Sequence, residues 1–152
     1  MMRAFAPLCI AAAMLGLSGP ALAEASTGAN IAHFRKVCLA NAPAFDSAAI
    51  EAAAQKEIYR AGDATASASV HWKQGKSCSL RARVGASLAP VVSAVEADPI
   101  VLETMKRLGG GEITMKRVKT KGLQYRFTTP AGRFEMSFTS DYANQSFNFS
   151  KL

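Results

Sequence analysis

From residue 123 to residue 149 the large apolar side chains fall on every second position. They are Leu123, Tyr125 and Phe127, then Phe134, Met136 and Phe138, then Phe147 and Phe149. Gln, Arg, Thr, Glu, Ser and Asn fill the positions between them. A period of two places one set on each face of a strand. The stretch therefore suits a sheet with one buried face and one wet face. Thr129-Pro130-Ala131-Gly132 and Asp141 to Asn144 are turn chemistry. Ile113 and Met115 begin the same pattern further back, which predicts a four-strand meander.

A second alternating stretch precedes it. Ala64, Ala66, Ala68, Val70 and Trp72 alternate with polar residues, and so do Cys78, Leu80, Ala82 and Val84. Gln74-Gly75-Lys76 turns the chain between them, so this is a hairpin. Trp72 falls with the apolar set and is expected in the core, with ligand stacking as the alternative. Elsewhere the period is helical. Ile31, Phe34, Val37 and Cys38 predict a short helix ending near Leu39. Asp46 is placed to cap a second, alanine-rich helix stopped by Gly62. Ser87 and then Asp98-Pro99 open two more segments, carrying Leu88, Val91, Val92 and Val95, then Val101, Leu102, Met105 and Leu108. Gly109 to Gly111 ends the last of them. The expected fold class is α+β: an antiparallel sheet of about six strands, hairpin plus four-strand meander, with helices packed on one face.

The first 23 residues read as a signal peptide, with Arg3, the apolar run Leu8 to Leu17, a Gly19-Pro20 break and an Ala21-Leu22-Ala23 cleavage site. A retained anchor is the alternative, although the apolar run is short for a membrane span. Residues 24–30 are small and polar and are expected to be a flexible leader. Residues 31–152 then form a single α+β domain. Cleavage after Ala23 leaves 152 − 23 = 129 residues, enough for one domain with a core. Arg3 is lost with the leader, so 17 basic residues minus 11 acidic ones leave a charge of +6. No later apolar run is long enough to span a bilayer.

Cleavage would also remove Cys9 and leave Cys38 and Cys78. An even count in an exported chain is most simply a disulfide. Two buried thiols and a redox pair are the alternatives, and a redox pair would call for C-x-x-C spacing, which is absent. Closing so long a loop stabilises by about 4 kcal/mol in the chain-entropy view.

Basic charge is concentrated between positions 106 and 133, where eight basic residues accompany the single acid Glu112. Such a field draws anions. The candidates for anion contact are Lys116, Arg117, Lys119, Lys121, Arg126 and Arg133. The plainer reading is a solvated basic hairpin. Tyr125 and Phe127 share their side with Leu123, so rings and charges face opposite ways. A nucleic-acid strip wants both on one surface, and no nucleic-acid partner is expected.

Motifs for chemistry are sparse. His33 and His71 are the only histidines, with no H-E-x-x-H and no Cys/His cluster, so neither a metal nor a cofactor is expected. No G-x-S-x-G and no S-x-x-K occurs, although triad members need not be neighbours. Gly75-Lys76-Ser77 has the ending of a P-loop, yet Val70 stands where its first glycine belongs. No catalytic residue is assigned.

Phe34 and Cys38, then Pro43 and Phe45, then the alanine-rich helix ending at Gly62 resemble the start of small, uncharacterised exported bacterial proteins. The resemblance covers about the first third of the mature chain. It implies an exported address and a disulfide, and no activity. The function expected is therefore a non-enzymatic protein of the periplasm or secreted space, binding or modulating an anionic envelope component or an acidic protein. A small inhibitor of a hydrolase is the alternative, with loops Lys119 to Gly122 and Asp141 to Asn144 as candidates to enter a cleft. A hydrolase with a dispersed site is the third reading.

Overall fold

The computed structural model describes residues 19–59, 68–83, 88–118, 122–141 and 144–152. Four α-helices and six strands follow one another: α1 Gly19–Val37, α2 Ser47–Ala54, β1 Ala68–Lys73, β2 Ser77–Arg83, α3 Leu88–Ala97, α4 Ile100–Arg107, β3 Glu112–Val118, β4 Gly122–Thr129, β5 Gly132–Ser140 and β6 Asn144–Lys151. All six strands form one antiparallel sheet in the order β1-β2-β6-β5-β4-β3. The fold is α+β, with the helices on one face, as the alternation implies. The meander β3 to β6 is local. The hairpin β1–β2 joins it through a long-range pairing that sets Cys78 opposite Phe149 and Leu80 opposite Phe147.

The cap of α2 works as its residue type dictates, whereas the N-cap of α4 is Pro99, one residue after the expected Asp98. Asp46 accepts from the Ala49 amide at 2.8 Å and starts α2. Asp98 accepts from the Ile100 amide at 2.9 Å at the head of α4. Its carboxylate also holds Arg35 of α1, which reaches Glu103 of α4 at 3.0 Å. α2 gives way to a π-turn over Gln55–Tyr59, where the Tyr59 hydroxyl accepts from the Val70 amide at 3.3 Å. Gly62, the expected stop, lies outside the described residues, as do Ala64, Ala66, Val84 and Ser87.

The core is a slab of phenylalanine between α1 and the sheet. Phe34 meets Phe138 and Phe147 edge-on, with ring centroids 6.1 and 5.8 Å away. Phe149 is ringed by Phe45, Phe127 and Phe134 at 5.8, 6.0 and 5.4 Å. Ile31, Val37, Ile50, Val91, Val95, Ile100 and Leu108 close it from the helices. Cys38 and Cys78 are joined in a disulfide, both fully buried, with Cα atoms 5.3 Å apart. The crosslink ties the end of α1 to β2, inside the slab. Under native conditions neither cysteine should react with an alkylating reagent, and the unreduced chain should weigh about two protons less than the reduced one. Two alkylated thiols in the folded protein would contradict this pairing.

Four further expectations need correction. Residues 24–30, expected as a flexible leader, are helical within α1. Thr27 and Asn30 are buried there. Gln145 of β6 explains why: it accepts from Asn30 at 3.0 Å and donates to the Thr27 hydroxyl at 2.7 Å. These polar groups enter the interior because they satisfy one another. Trp72 is half-buried against the core rim, not enclosed. Leu102 is exposed, because α4 turns Ile100, Thr104 and Met105 inward instead. Met115 is 54% exposed. It shares the helix side of the sheet with Tyr125, but the helices pack mainly over the other five strands, and from β3 it is Ile113 that packs against the core.

Candidate functional site: the open face of the sheet

Alternation puts the other half of each strand on the face away from the helices. Strand register lines those residues into rows. One row runs His71, Ser79, Asn148, Ser137, Gln124, Lys116 across all six strands. A second runs Lys73, Ser77, Ser150, Glu135, Arg126, Thr114. A third holds Ser69, Arg81, Ser146 and Thr139. With strands about 4.8 Å apart, a row across six strands spans about 24 Å. Short hydroxyl and amide side chains dominate the middle, so the surface is shallow. Cations stand around it: Lys73, Arg81, Arg83, Lys116, Arg126 and Arg133. The acids of this face are Glu112 and Glu135.

The predicted basic residues do not form one patch. Lys116 is exposed on the open face. Arg117, its neighbour in the chain, points to the helix side and pairs with Glu96 of α3. Arg126 lies on the open face and is held by Glu135 at 3.0 Å. Arg133 is exposed near the start of β5. Lys119 and Lys121 lie outside the described residues. Of the candidate inhibitor loops, residues 119–121 and 142–143 lie outside them as well, while Asp141 is described and its carboxylate accepts from the Asn144 amide at 2.7 Å. Lys73, Arg81 and Arg83 join the open face although they stand far from the 106–133 cluster in the chain. Their shared strand phase was the signal, but only the β2–β6 pairing brings them beside the meander.

The aromatic rings point away from this face. Tyr125 packs against Phe138 with centroids 6.2 Å apart. Burial raises its phenol above the usual range, and the charge of Glu96 adds to the rise. The expected opposition of rings and charges therefore holds for Tyr125 and Phe127 against Lys116 and Arg126.

The two histidines lie on opposite sides of the sheet. His71 is exposed on the open face with Nε2 3.1 Å from the Ser69 hydroxyl. No carboxylate stands in its row. His33 sits half-buried on α1. Near it Lys36 holds Glu57 at 2.9 Å, and that hydrogen bond lowers the Glu57 carboxyl below its usual range. Among the described residues no group of His, Cys, Asp and Glu is arranged to hold a metal ion, and no helix is long and apolar enough to cross a membrane. Compared with protein-family models, with curated proteins and with solved structures, the chain matches none.

Proposed function

We propose that this is an exported, non-enzymatic binding protein whose open sheet face takes an acidic carbohydrate of the cell envelope. The observation that carries the reading is the composition of that face: rows of Ser, Thr, Asn and Gln with six cations and two acids among them. Hydroxyl and amide groups exchange hydrogen bonds with sugar hydroxyls at little cost. The surrounding Lys and Arg attract carboxylate or phosphate groups on the same chain. The shallow shape suits an extended polymer better than a small substrate, which calls for a concave pocket. Export is supported by the leader-like first 23 residues and by the Cys38–Cys78 disulfide, a bond favoured in oxidising compartments.

The test is binding of the protein to an immobilised acidic polysaccharide, to anionic glycolipid vesicles and to a neutral polysaccharide. Binding to the acidic arms should exceed binding to the neutral arm and weaken steeply as salt rises. Replacing Lys73, Arg81, Arg83 and Arg133 together by Gln should lower binding by about tenfold or more, at roughly 1 kcal/mol per basic residue near an anionic surface. The melting temperature should barely move, because exposed charges contribute little to stability. An equal loss on replacing Lys56 and Lys106 of the helix layer would sink the reading, since those residues do not belong to the open face.

A further inference from the structure

We propose that β3 is a self-complementary edge through which two copies of this chain pair antiparallel about Thr114, joining their sheets into one of twelve strands. β3 ends the sheet order, with β4 its only strand neighbour among the described residues. An edge strand offers unpaired N–H and C=O groups along its length. Met115 beside that edge is 54% exposed, and the helices pack mainly over other strands. The helix side of β3 therefore leaves room for a neighbouring strand.

Register decides the partner. In an antiparallel pair about a two-fold axis perpendicular to the sheet, facing residues share a face and their numbers sum to an even constant. Centring on Thr114 sets Glu112 opposite the partner's Lys116, and Lys116 opposite the partner's Glu112, on the open face. It sets Ile113 opposite the partner's Met115 on the helix side, twice. Thr114 meets the partner's Thr114 on the axis. Opposite charges and apolar pairs facing across strands are the stabilising cross-strand combinations. Arg117 falls opposite the partner's Gly111, which has no side chain to oppose it, so the Arg117–Glu96 pair is undisturbed. Neighbouring registers lose this match. Centring on Met115 sets Lys116 against the partner's Thr114 and Arg117 against the partner's Ile113. Centring on Lys116 sets two like charges face to face.

A lysine on an edge strand commonly guards against pairing. Here the guard meets its counter-charge in the one register that also matches the apolar residues. The area is small, since the ladder covers only Glu112 to Lys116, so the dimer is weak and concentration-dependent. It would place two open faces side by side and double the reach of the surface on each copy.

The test is sedimentation of the full chain from about 1 to several hundred micromolar at low salt, with Glu112→Lys, Lys116→Glu and the combined swap. The native protein should dimerise reversibly. Each single swap sets two like-charge pairs across the axis and should weaken association by about tenfold, and the combined swap should restore it. Separately, Thr114→Cys in a Cys9→Ser background should crosslink to itself on mild oxidation. Cα atoms directly opposite in an antiparallel pair lie about 4.5 to 5.5 Å apart, within disulfide reach. Ser137→Cys, in the middle of the open face, should not. A protein monomeric at every concentration, a combined swap as weak as the single ones, or Thr114→Cys crosslinking no faster than Ser137→Cys would each overturn the proposal.

Discussion

Phe149→Ala is expected to remove about 3 to 5 kcal/mol of stability. Phe149 is fully buried in β6 and is the ring on which the two ends of the core converge. Phe45 from the segment before α2, Phe127 from β4 and Phe134 from β5 all lie within 6.0 Å of it, centroid to centroid. Its strand partners are Cys78 and Met136. Those neighbours are fixed by strand pairing and by the disulfide, so they cannot collapse into the space, and the cavity term adds to the lost transfer energy. Phe45 has added reason to stay. Its backbone is left-handed, φ 45°, and its carbonyl accepts from the Gly75 amide at 3.2 Å. Urea unfolding should show a lower midpoint with an unchanged slope. Ser146→Ala, three residues back on the open face, should cost well under 1 kcal/mol. Similar losses from the two variants would mean that the phase of β6 is not the one described.

That phase was the most legible feature of the chain. Leu123, Tyr125, Phe127, Phe134, Met136, Phe138, Phe147 and Phe149 are all buried, because a period of two leaves a strand no other way to hide its large residues. The cap at Asp46 was legible for a similar reason, since capping is local chemistry; at α4 the cap position falls one residue later than expected, on Pro99, which has no side-chain cap bond. Strand order was not. The hairpin joins β6 by pairing Ser77 with Ser150 and Arg83 with Asn144, contacts more than sixty residues apart in sequence. Nothing in either strand announces its neighbour.

Met115 and Thr27 mark the two ways in which local pattern misleads. Alternation says which side of the sheet Met115 takes, but not whether a helix covers that side. Thr27 and Asn30 look like solvent-exposed leader because their types are polar. Their burial depends on Gln145, 118 and 115 residues away. The basic cluster misleads in a third way. Lys116 and Arg117 are adjacent in sequence and therefore opposite in a strand. The field read as one patch divides into an open-face part and a helix-side part that Glu96 neutralises. Lys73, Arg81 and Arg83, which join Lys116, Arg126 and Arg133 on the open face, come from the other end of the sheet.

Gly122→Ala is expected to destabilise the protein on the order of 2 to 6 kcal/mol, summing backbone strain and forced repacking of about 1 to 3 each. Gly122 opens β4 opposite Val118, with φ at +112°, where side chains with a Cβ are rarely found. A Cβ there would lie 1.8 Å from the Phe138 carbonyl oxygen. That oxygen belongs to the β5 backbone, so relief requires β4 and β5 to separate just where Leu123 pairs with Phe138. The contact term can be isolated with a second glycine. Gly75, in the β1–β2 turn, also has positive φ, +68°, but a Cβ there meets nothing within 4 Å. Gly75→Ala should therefore carry the conformational cost alone, roughly 1 to 2 kcal/mol. Denaturant midpoints for the two variants would separate the terms. Equal losses would show that β4 and β5 can part at no cost, and that the close approach at Gly122 does not hold the register of the meander.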